Sequence, residues 1–531
     1  MNIKVAVFHD NLGILEPYER CLKNKGFNVF GFGSFKDILK FQATGNKLES
    51  EVAVIHVGFH VMKKIKGVDM FVDAVQVINN LLPLDCRRIL LSGHQPNDIK
   101  NQLIEMGAIR QICPVVIVEK DLGGELPEKF NTSSILGLET VKKWLKGKKN
   151  LFVYKDSEAI DRIAQELGVK ILGTPGKIRK VFENKKFFRE ELVKAGLKPI
   201  QGCSLQVDEL DEKRWDLCKA ELGERLVFQL PDYTVGGGLG TFFINAKADF
   251  ENFKEFVRRR REVRRELNKV IEWVNVTKFI EGEAASISGC ATRFGTVAGM
   301  LQKQIIDQPE LAALAGRSGV WLGHDWNAAF NLEAQVKAEK LCQQWGEYIY
   351  KKGYKGIFGL DMVVDEAGRV WPVECNSRYT GAFPMYTMMQ INNKEIPLDV
   401  WHLLEWLGVD YEMDIDEVQK LGRGEKQGAQ LLLHNLERKT VTATKTVKAG
   451  VYKISSARHT KFLRPGFSLL DIKSKDEFVL CDRVVGEESV LKPAERLGRL
   501  VFKRRVVDEK GRLLPEIREV VRAVYDRYNL R

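Results

Sequence analysis

Apolar and polar positions along this chain alternate in two rhythms. Residues 3–8, 52–57 and 88–92 are short apolar runs, and 18–25 and 99–106 are helix-like segments closed by Gly26 and Gly107. Apolar runs separated by helices predict a parallel sheet covered on both faces. Residues 121–135 are rich in turn formers, and 136–148 read as a basic helix, so this stretch is a connector. From 151 the pattern resumes. A strand over 151–154 precedes a helix over 157–167, whose Ile160, Ile163, Ala164 and Leu167 share one face and which Gly168 stops. A strand over 169–172, a helix ending near Gly196 and a strand over 225–230 follow. After 411 come strand-like pieces at 440–444, 450–455, 477–480 and 499–502, then a closing helix over 515–528.

Composition narrows the classes. The 531 residues imply about three or four domains. With 44% hydrophobic residues there is ample core. No run of about 18 uncharged apolar residues is present, so a membrane span is not expected. The opening MNIKVAVFHDNLG reads as a strand without a signal-peptide layout. Nine scattered cysteines, an odd number with no Cys-x-x-Cys pair, disfavour a zinc ribbon and fit reduced thiols in a cytoplasm. The net charge is +12, densest in RRRREVRRELNK at 258–269. No aromatic residues interleave with those arginines, so a solvated helix is expected there and nucleic acid is not an expected partner.

The chemistry concentrates in GIFGLDMVVDEAGRVWPVECNSR, residues 356–378. It reads as a β-hairpin turning at Ala367-Gly368. With a two-residue loop Glu366 faces Arg369, and Asp361 then faces Glu374 with Cβ atoms about 5 Å apart. Asn376 falls on the same face as Glu374. Met362, Val364, Trp371, Val373 and Cys375 form the apolar opposite face. Two facing carboxylates repel unless a cation lies between them, and oxygen-only ligands suit Mg²⁺ or Mn²⁺ shared with phosphate oxygens. Arg378 adds positive charge toward the same space. Upstream, Gly236, Gly237, Gly238 and Gly240 could turn backbone N–H groups toward a phosphate. No Gly-Lys-Ser/Thr follows them, so they are not a P-loop. A strand rather than a helix comes next, so they are not a dinucleotide fingerprint. Residues 302–330 carry His324, Asp325, Trp326 and Asn327, which suggest a lobe-closing loop near an acceptor, with Arg317 aimed at a γ-phosphate.

Residues 151–410 resemble the ATP-grasp superfamily, which includes biotin carboxylase and D-alanine–D-alanine ligase. The resemblance implies ATP held between two lobes. Lys185, after Asn184, matches a lysine that meets the phosphates, and Gly236–Gly240 the flexible loop over them. Thr277, Lys278, Phe279 and Ile280 match the hinge strand whose backbone reads adenine, and Glu283 the acceptor for ribose hydroxyls. Asp361, Glu374 and Asn376 match the metal ligands, and Arg378 the residue that steadies a carboxylate or acyl phosphate. The family pattern V-x-K-P carries a second lysine where this chain has Gln229, a hydrogen-bond donor without charge; Lys303 is expected to supply charge from a neighbouring strand. Asp361 replaces the more common glutamate.

Residues 1–125 resemble a response-regulator receiver domain through Asp10, Ser92 and Gly107-Ala108. His56 stands where the phosphoacceptor aspartate would end its strand, and Cys113-Pro114 where the lysine before proline would fall, so a docking module rather than a phosphorylation switch is expected. The tail resembles the β-rich cap of biotin-carboxylase-like enzymes, without a biotinyl-lysine motif.

The expected fold is therefore α/β and α+β, multidomain. A degenerate receiver-like doubly wound parallel sheet (1–125) is followed by a linker helix (126–150), a pre-ATP-grasp region (151–225), the ATP-grasp core (226–410) and a small β-rich C-terminal domain (411–531). The expected function is an ATP- and Mg²⁺-dependent carboxylate ligase. The alternatives are a non-catalytic ATP-binding scaffold and an ATP-dependent carboxylase or phosphotransferase. The expected partners are a small-molecule carboxylate and a nucleophilic acceptor. A second copy of the chain or a regulatory protein would dock through the receiver-like domain.

Overall fold

The computed structural model describes residues 4–8, 28–32, 52–56, 87–91, 132–137, 142 and 145–146. It also describes 150–531 apart from 232–239, 266–270, 314–318, 329, 446, 457–458, 465, 467 and 482–489. In the first part β1 (Lys4–Phe8), β2 (Asn28–Phe32), β3 (Val52–His56) and β4 (Arg87–Leu91) form a parallel sheet in the order β2-β1-β3-β4. Asp10, Ser92, Gly107, Ala108, Cys113 and Pro114, which carry the receiver resemblance, lie outside the described residues. Of the linker helix, a short piece at Thr132–Leu136 is described.

The region from residue 150 starts with a parallel pair, Asn150–Leu151 and Lys170–Ile171, joined through α1 (Glu158–Leu167). Ser157 caps α1 by accepting from the Ile160 N–H, and Gly168 ends it at φ +66°, a left-handed stop that glycine adopts without a Cβ penalty. α2 (Gly176–Glu183) and α3 (Lys185–Lys194) follow, separated only by Asn184.

Two antiparallel sheets then face each other across a cleft. The smaller contains β5 (Gly202–Gln206), β6 (Leu226–Gln229), β7 (Thr241–Ile244) and β8 (Trp273–Lys278), in the order β5-β8-β6-β7. α4 (Glu212–Leu222) and α5 (Lys247–Arg265) cover it around Trp215, Phe228, Phe250 and Phe253. The basic run falls on α5. Arg258 and Arg259 pair with Glu255, Arg258 also with Glu262, and Arg261 with Asp208. This is the solvated, ion-paired surface expected of such a segment.

The larger sheet has eleven strands. They are β9 (Gly282–Thr292), β10 (Gly295–Ala298), β11 (Gln302–Ile306), β12 (Trp321–Asp325), β13 (Gly356–Asp365), β14 (Val370–Asn376), β15 (Ala429–His434), β16 (Gly450–Ser456), β17 (His459–Arg464), β18 (Glu477–Cys481) and β19 (Arg496–Phe502). Their order is β14-β13-β9-β11-β12-β15-β19-β18-β16-β17, with β10 on β9. α6 (Leu332–Lys351) lies on one face and buries Ala334, Ala338, Cys342, Trp345 and Ile349. That helical stripe packs against Phe358, Leu360 and Met362 of β13 and Ala285 and Ile287 of β9. The opposite residues of both strands therefore face the cleft.

The C-terminal strands were expected as a separate domain. They instead continue this sheet, because β15 pairs with β12 on one side and β19 on the other. Of the segment at His324–Asn327, expected as a loop, His324 and Asp325 belong to strand β12, and they and Trp326 are buried. Gly323, at φ +152°, allows its close approach to β15, where a Cβ would collide with the Gln430 carbonyl oxygen. Asp325 is fully buried. One of its oxygens accepts from the N–H groups of Asn327 (2.8 Å) and Ala328 (3.1 Å). The other accepts from those of Val506 (2.7 Å) and Val507 (3.2 Å). It is a structural staple between β12 and the segment after β19. Helices α7 (Phe383–Asn392), α8 (Leu398–Leu407), α9 (Ile415–Gly422) and α10 (Pro515–Tyr528) follow β14 along the chain, and no described helix is long and apolar enough to cross a membrane.

Candidate active site

The hairpin β13–β14 turns on three residues rather than two. Asp365 N–H donates to Arg369 C=O, Gly368 N–H donates to Asp365 C=O, and Gly368 sits at φ +67°, the left-handed position that such a turn requires. Near the turn Val364 faces Val370 and Met362 faces Pro372; the register then shifts, so that Asp361 faces Glu374. The longer turn and the bulge at Val373 offset each other. The carboxylates meet as the sequence suggests, but between bulge and turn the faces of β14 are exchanged. Trp371, expected in the core, donates its Nε1–H to Asp365 Oδ2 at 2.9 Å, and Val370 packs toward α6.

Around the pair a polar cluster closes. Asn376 Nδ2 donates to Asp361 Oδ2 (2.9 Å) and more distantly to Glu374 Oε1 (3.4 Å). Gln304 Nε2 donates to Asp361 Oδ1 (2.8 Å). Lys185 forms an ion pair with Glu374 Oε2. Its position follows from local chemistry. Asn184 caps α3 by accepting from Lys186 N–H (2.9 Å), which places Lys185 in the first helical turn. Asn275 of β8 then donates to the Lys185 carbonyl (2.7 Å), tying that turn to the smaller sheet. Burial, and then the neighbouring Glu374, push the Asp361 carboxyl well above its usual range. Burial also acts upward on Glu374, but the Lys185 ammonium outweighs it and holds that carboxyl low. Negative charge is therefore favoured on Glu374 over Asp361 within the pair.

Arg378 continues the cluster. Its Nη2 donates to Asn376 Oδ1 (2.8 Å), its Nη1 to Tyr379 C=O (2.9 Å), and its Nε to Glu183 Oε1 (2.9 Å). Glu183, at the end of α2, also pairs with Lys155 (3.0 Å) and with Arg179. Burial opposes its charge, yet Lys155, Arg179 and Arg378 together depress the carboxyl to about 2. A depressed carboxylate adds stability that is complete above its unfolded value and is lost as pH falls through the folded one. Glu183 is thus expected to contribute about 3 kcal/mol near neutrality. Glu183→Gln should remove most of that contribution, read as a loss of urea midpoint that shrinks as pH is lowered from about 4.5 toward about 2.

Asp361, Glu374, Asn376, Gln304, Lys185, Arg378, Glu183 and Lys155 line one cavity of about 1510 Å³ between the two sheets, while Arg179 lies behind it. Gln229, Gly240, Lys278, Phe279 and Ile280 line it as well. Gln229 is buried and donates to Thr241 Oγ1 at 3.5 Å. Phe279 and Ile280 carry the chain from β8 to β9, and the Phe279 N–H is already taken by Arg225 C=O. The guanidinium of Arg225 covers the Phe279 ring, and Phe243 meets it edge-on. Gly236, Gly237, Gly238 and Arg317 lie outside the described residues.

Two expected nucleotide ligands are not brought to this cavity. Glu283 and Lys303 pair with each other at 2.8 Å on the other face of the sheet. On β9 Glu283 alternates with the cleft-facing Ala284 and Ser286 and shares its face with buried Ala285 and Ile287. On β11 Lys303 shares its face with buried Ile305 and donates to Glu509 C=O (3.1 Å). The residues facing the cleft from β11 are Gln302, Gln304 and Ile306, and period-two alternation in LQKQI already separates them from Lys303. His324 also faces the cleft, between Trp321 Nε1 (3.2 Å) and Gln430 Nε2 (3.0 Å). Burial, with Arg499 nearby, lowers its pKa to about 3, so it is neutral and a poor base.

The donor set fits a hard divalent cation. Among the described residues no three His, Cys, Asp or Glu side chains converge on one point. The Asn376 amide turns its nitrogen to the carboxylates and its oxygen to Arg378, so it would join the set by rotating its amide; two carboxylates and that oxygen would leave the remaining positions to phosphate oxygens and water, as Mg²⁺ prefers. The charge of the carboxylate pair, which Lys185 answers at Glu374 in this structure, is what such an ion would neutralise.

No protein-family model matches the chain, and no curated protein matches it by sequence. Solved structures do. The biotin carboxylase domain of 2-oxoglutarate carboxylase from Hydrogenobacter thermophilus aligns at TM-score 0.50 and 12% identity, over 95% of this chain and 86% of that one. Its complex contains MgADP, ADP and bicarbonate. Biotin carboxylase from Campylobacter jejuni, complexed with β-γ-ATP, aligns at TM-score 0.51 and 12% identity, over 95% and 88%. Likeness at this identity is likeness of fold, and with two antiparallel sheets enclosing one cleft, the fold of this chain is the ATP-grasp fold.

Proposed function

We propose that this chain is an ATP- and Mg²⁺-dependent carboxylate ligase. The observation that carries the reading is the convergence of Asp361, Glu374 and Asn376 with Lys185 and Arg378 inside the cleft. Asp361, Glu374 and Asn376 would hold Mg²⁺, which when bound neutralises phosphate charge. Lys185 would leave Glu374 for the phosphates, and the backbone at Lys278–Ile280 would border the base, with the Lys278 and Phe279 N–H groups already engaged by the Gln201 and Arg225 carbonyls. Arg378 would hold the substrate carboxylate in line with the γ-phosphorus. A carboxylate oxygen then bonds to phosphorus as the bond to the ADP oxygen breaks. An amine or thiol attacks the acyl carbon of the resulting acyl phosphate and expels inorganic phosphate. No side-chain nucleophile is needed, consistent with the burial of five of the six described cysteines and the neutral His324.

Hydroxylamine and a panel of carboxylic acids test this directly. Acid-dependent hydroxamate with one ADP per product is the expected result, and AMP as product would reject the acyl-phosphate route. Two other readings have their own signatures. Gln229, uncharged where a lysine would touch phosphate, favours nucleotide binding without transfer; ATP and Mg²⁺ would then raise the melting temperature while no acid stimulates turnover. ADP release dependent on bicarbonate alone would instead indicate carboxylation, the chemistry that the names of the two structural neighbours suggest.

A further inference from the structure

Resting on that ligase reading, we propose that the acid taken by this site carries a second anionic group, held by Lys155 beside Arg378. The substrate class is a compact dianionic acid.

The argument begins at Glu183 Oε1. Lys155 Nζ lies 3.0 Å from this oxygen and Arg378 Nε lies 2.9 Å from it, so the two cations stand no more than about 6 Å apart. Arg179 occupies the other oxygen. One carboxylate thus answers three cations, brought by the loop before α1, by α2 and by the segment after β14. The neighbouring carboxylate pair does not make up the difference, because Glu374 has its own ammonium in Lys185 and both Asp361 oxygens are taken by the Gln304 and Asn376 amides. Lys155 and Arg378 both line the cavity, while Arg179 is buried.

A ligase that phosphorylates a carboxylate needs one cation beside the reacting group, and Arg378, joined to Asn376, is placed for that. A monoacid gives Lys155 nothing to bind. A short acid with a second carboxylate or a phosphonate would satisfy both cations at once, its far group displacing Glu183 from Lys155. Such charge-assisted contacts in a partly desolvated cleft are strong and geometrically selective. Burial, opposed by Glu183 and reinforced by Arg378 and Arg179, lowers the Lys155 pKa, so this ammonium gains from any further negative charge.

The test compares butyrate and valerate with succinate, glutarate and 3-phosphonopropionate, in ADP release with hydroxylamine and in melting temperature with Mg²⁺ and ADP. The expected result is a kcat/KM for the dianionic acids about tenfold or more above that of monoacids of equal length. The phosphonate arm shows whether the second group is read as carboxylate or as phosphate-like. Lys155→Met should collapse the preference about tenfold, and Lys155→Arg should retain most of it. The Lys155 side chain is 42% exposed, so neither change threatens the fold. Equal use of monoacids and diacids, or a preference that survives Lys155→Met, overturns the inference while leaving the ligase reading in place. A melting shift given by diacids, lost in Lys155→Met, with no turnover of any acid, upholds the second anion site and rejects the ligase. No response to any acid by either measurement rejects both.

Discussion

Glu374→Gln is expected to lower acid-dependent ADP release by on the order of 1,000-fold. The side chain keeps its size but loses the charge that Lys185 and a divalent ion would share. The variant removes one of two carboxylates from a site whose third oxygen is only an amide, so Mg²⁺ should be needed at higher concentration. The measurement is a Mg²⁺ titration of turnover at saturating ATP. Lys185→Met makes the contrast, since its loss should weaken ATP and leave the Mg²⁺ dependence of the remaining activity little changed. Comparable Mg²⁺ curves for wild type and Glu374→Gln would remove Glu374 from the metal set and with it the main support for the proposed chemistry.

The second large effect concerns stability. Asp325→Ala should destabilise the larger sheet by about 4 kcal/mol or more, because it leaves four backbone N–H groups, of Asn327, Ala328, Val506 and Val507, without their acceptor. Each orphaned buried donor costs about 1–3 kcal/mol, less what water or a shifted neighbour returns. Asp325→Asn keeps one carbonyl oxygen and should cost less. Melting temperature gives the size of the effect. Faster hydrogen exchange at Val506 and Val507 shows that it arises at the staple rather than elsewhere.

How much of this was legible beforehand differs by element. The facing of Asp361 and Glu374 could be read because period-two alternation in both strands leaves two carboxylates on one side. It was reached through an assumed two-residue turn, and it survived because the bulge at Val373 cancels the extra turn residue. The cost of that assumption shows at Trp371, whose face is reversed. Lys303 and Glu283 illustrate the opposite case. Residue type suggested nucleotide ligands, while the alternation of their own strands assigns them to the face of Ile305 and Ile287; pattern was the better guide than charge. Asp325 and its neighbours carried the residue types of an active-site loop, and nothing local in WLGHDW reveals that the partners of Asp325 lie 181 and 182 residues away. Glu183 was not legible either. Its tie to Arg378 spans 195 residues, and an acid at a helix end in a lysine-rich stretch gives no sign of facing a cleft.

Strand order in the larger sheet also sets a timetable for synthesis. The hairpin bearing the carboxylates is complete once residue 376 has emerged, with β9 already available beside it. β12, by contrast, waits for residues 429–434 before its second side is paired, and Asp325 waits until 506 and 507 exist. A nascent chain therefore carries the finished hairpin next to the open edge of β12 from residue 376 until 429, the state in which edge strands recruit wrong partners. Production of this protein should be most vulnerable at that stage, and slowing translation downstream of β12 should lengthen the exposure.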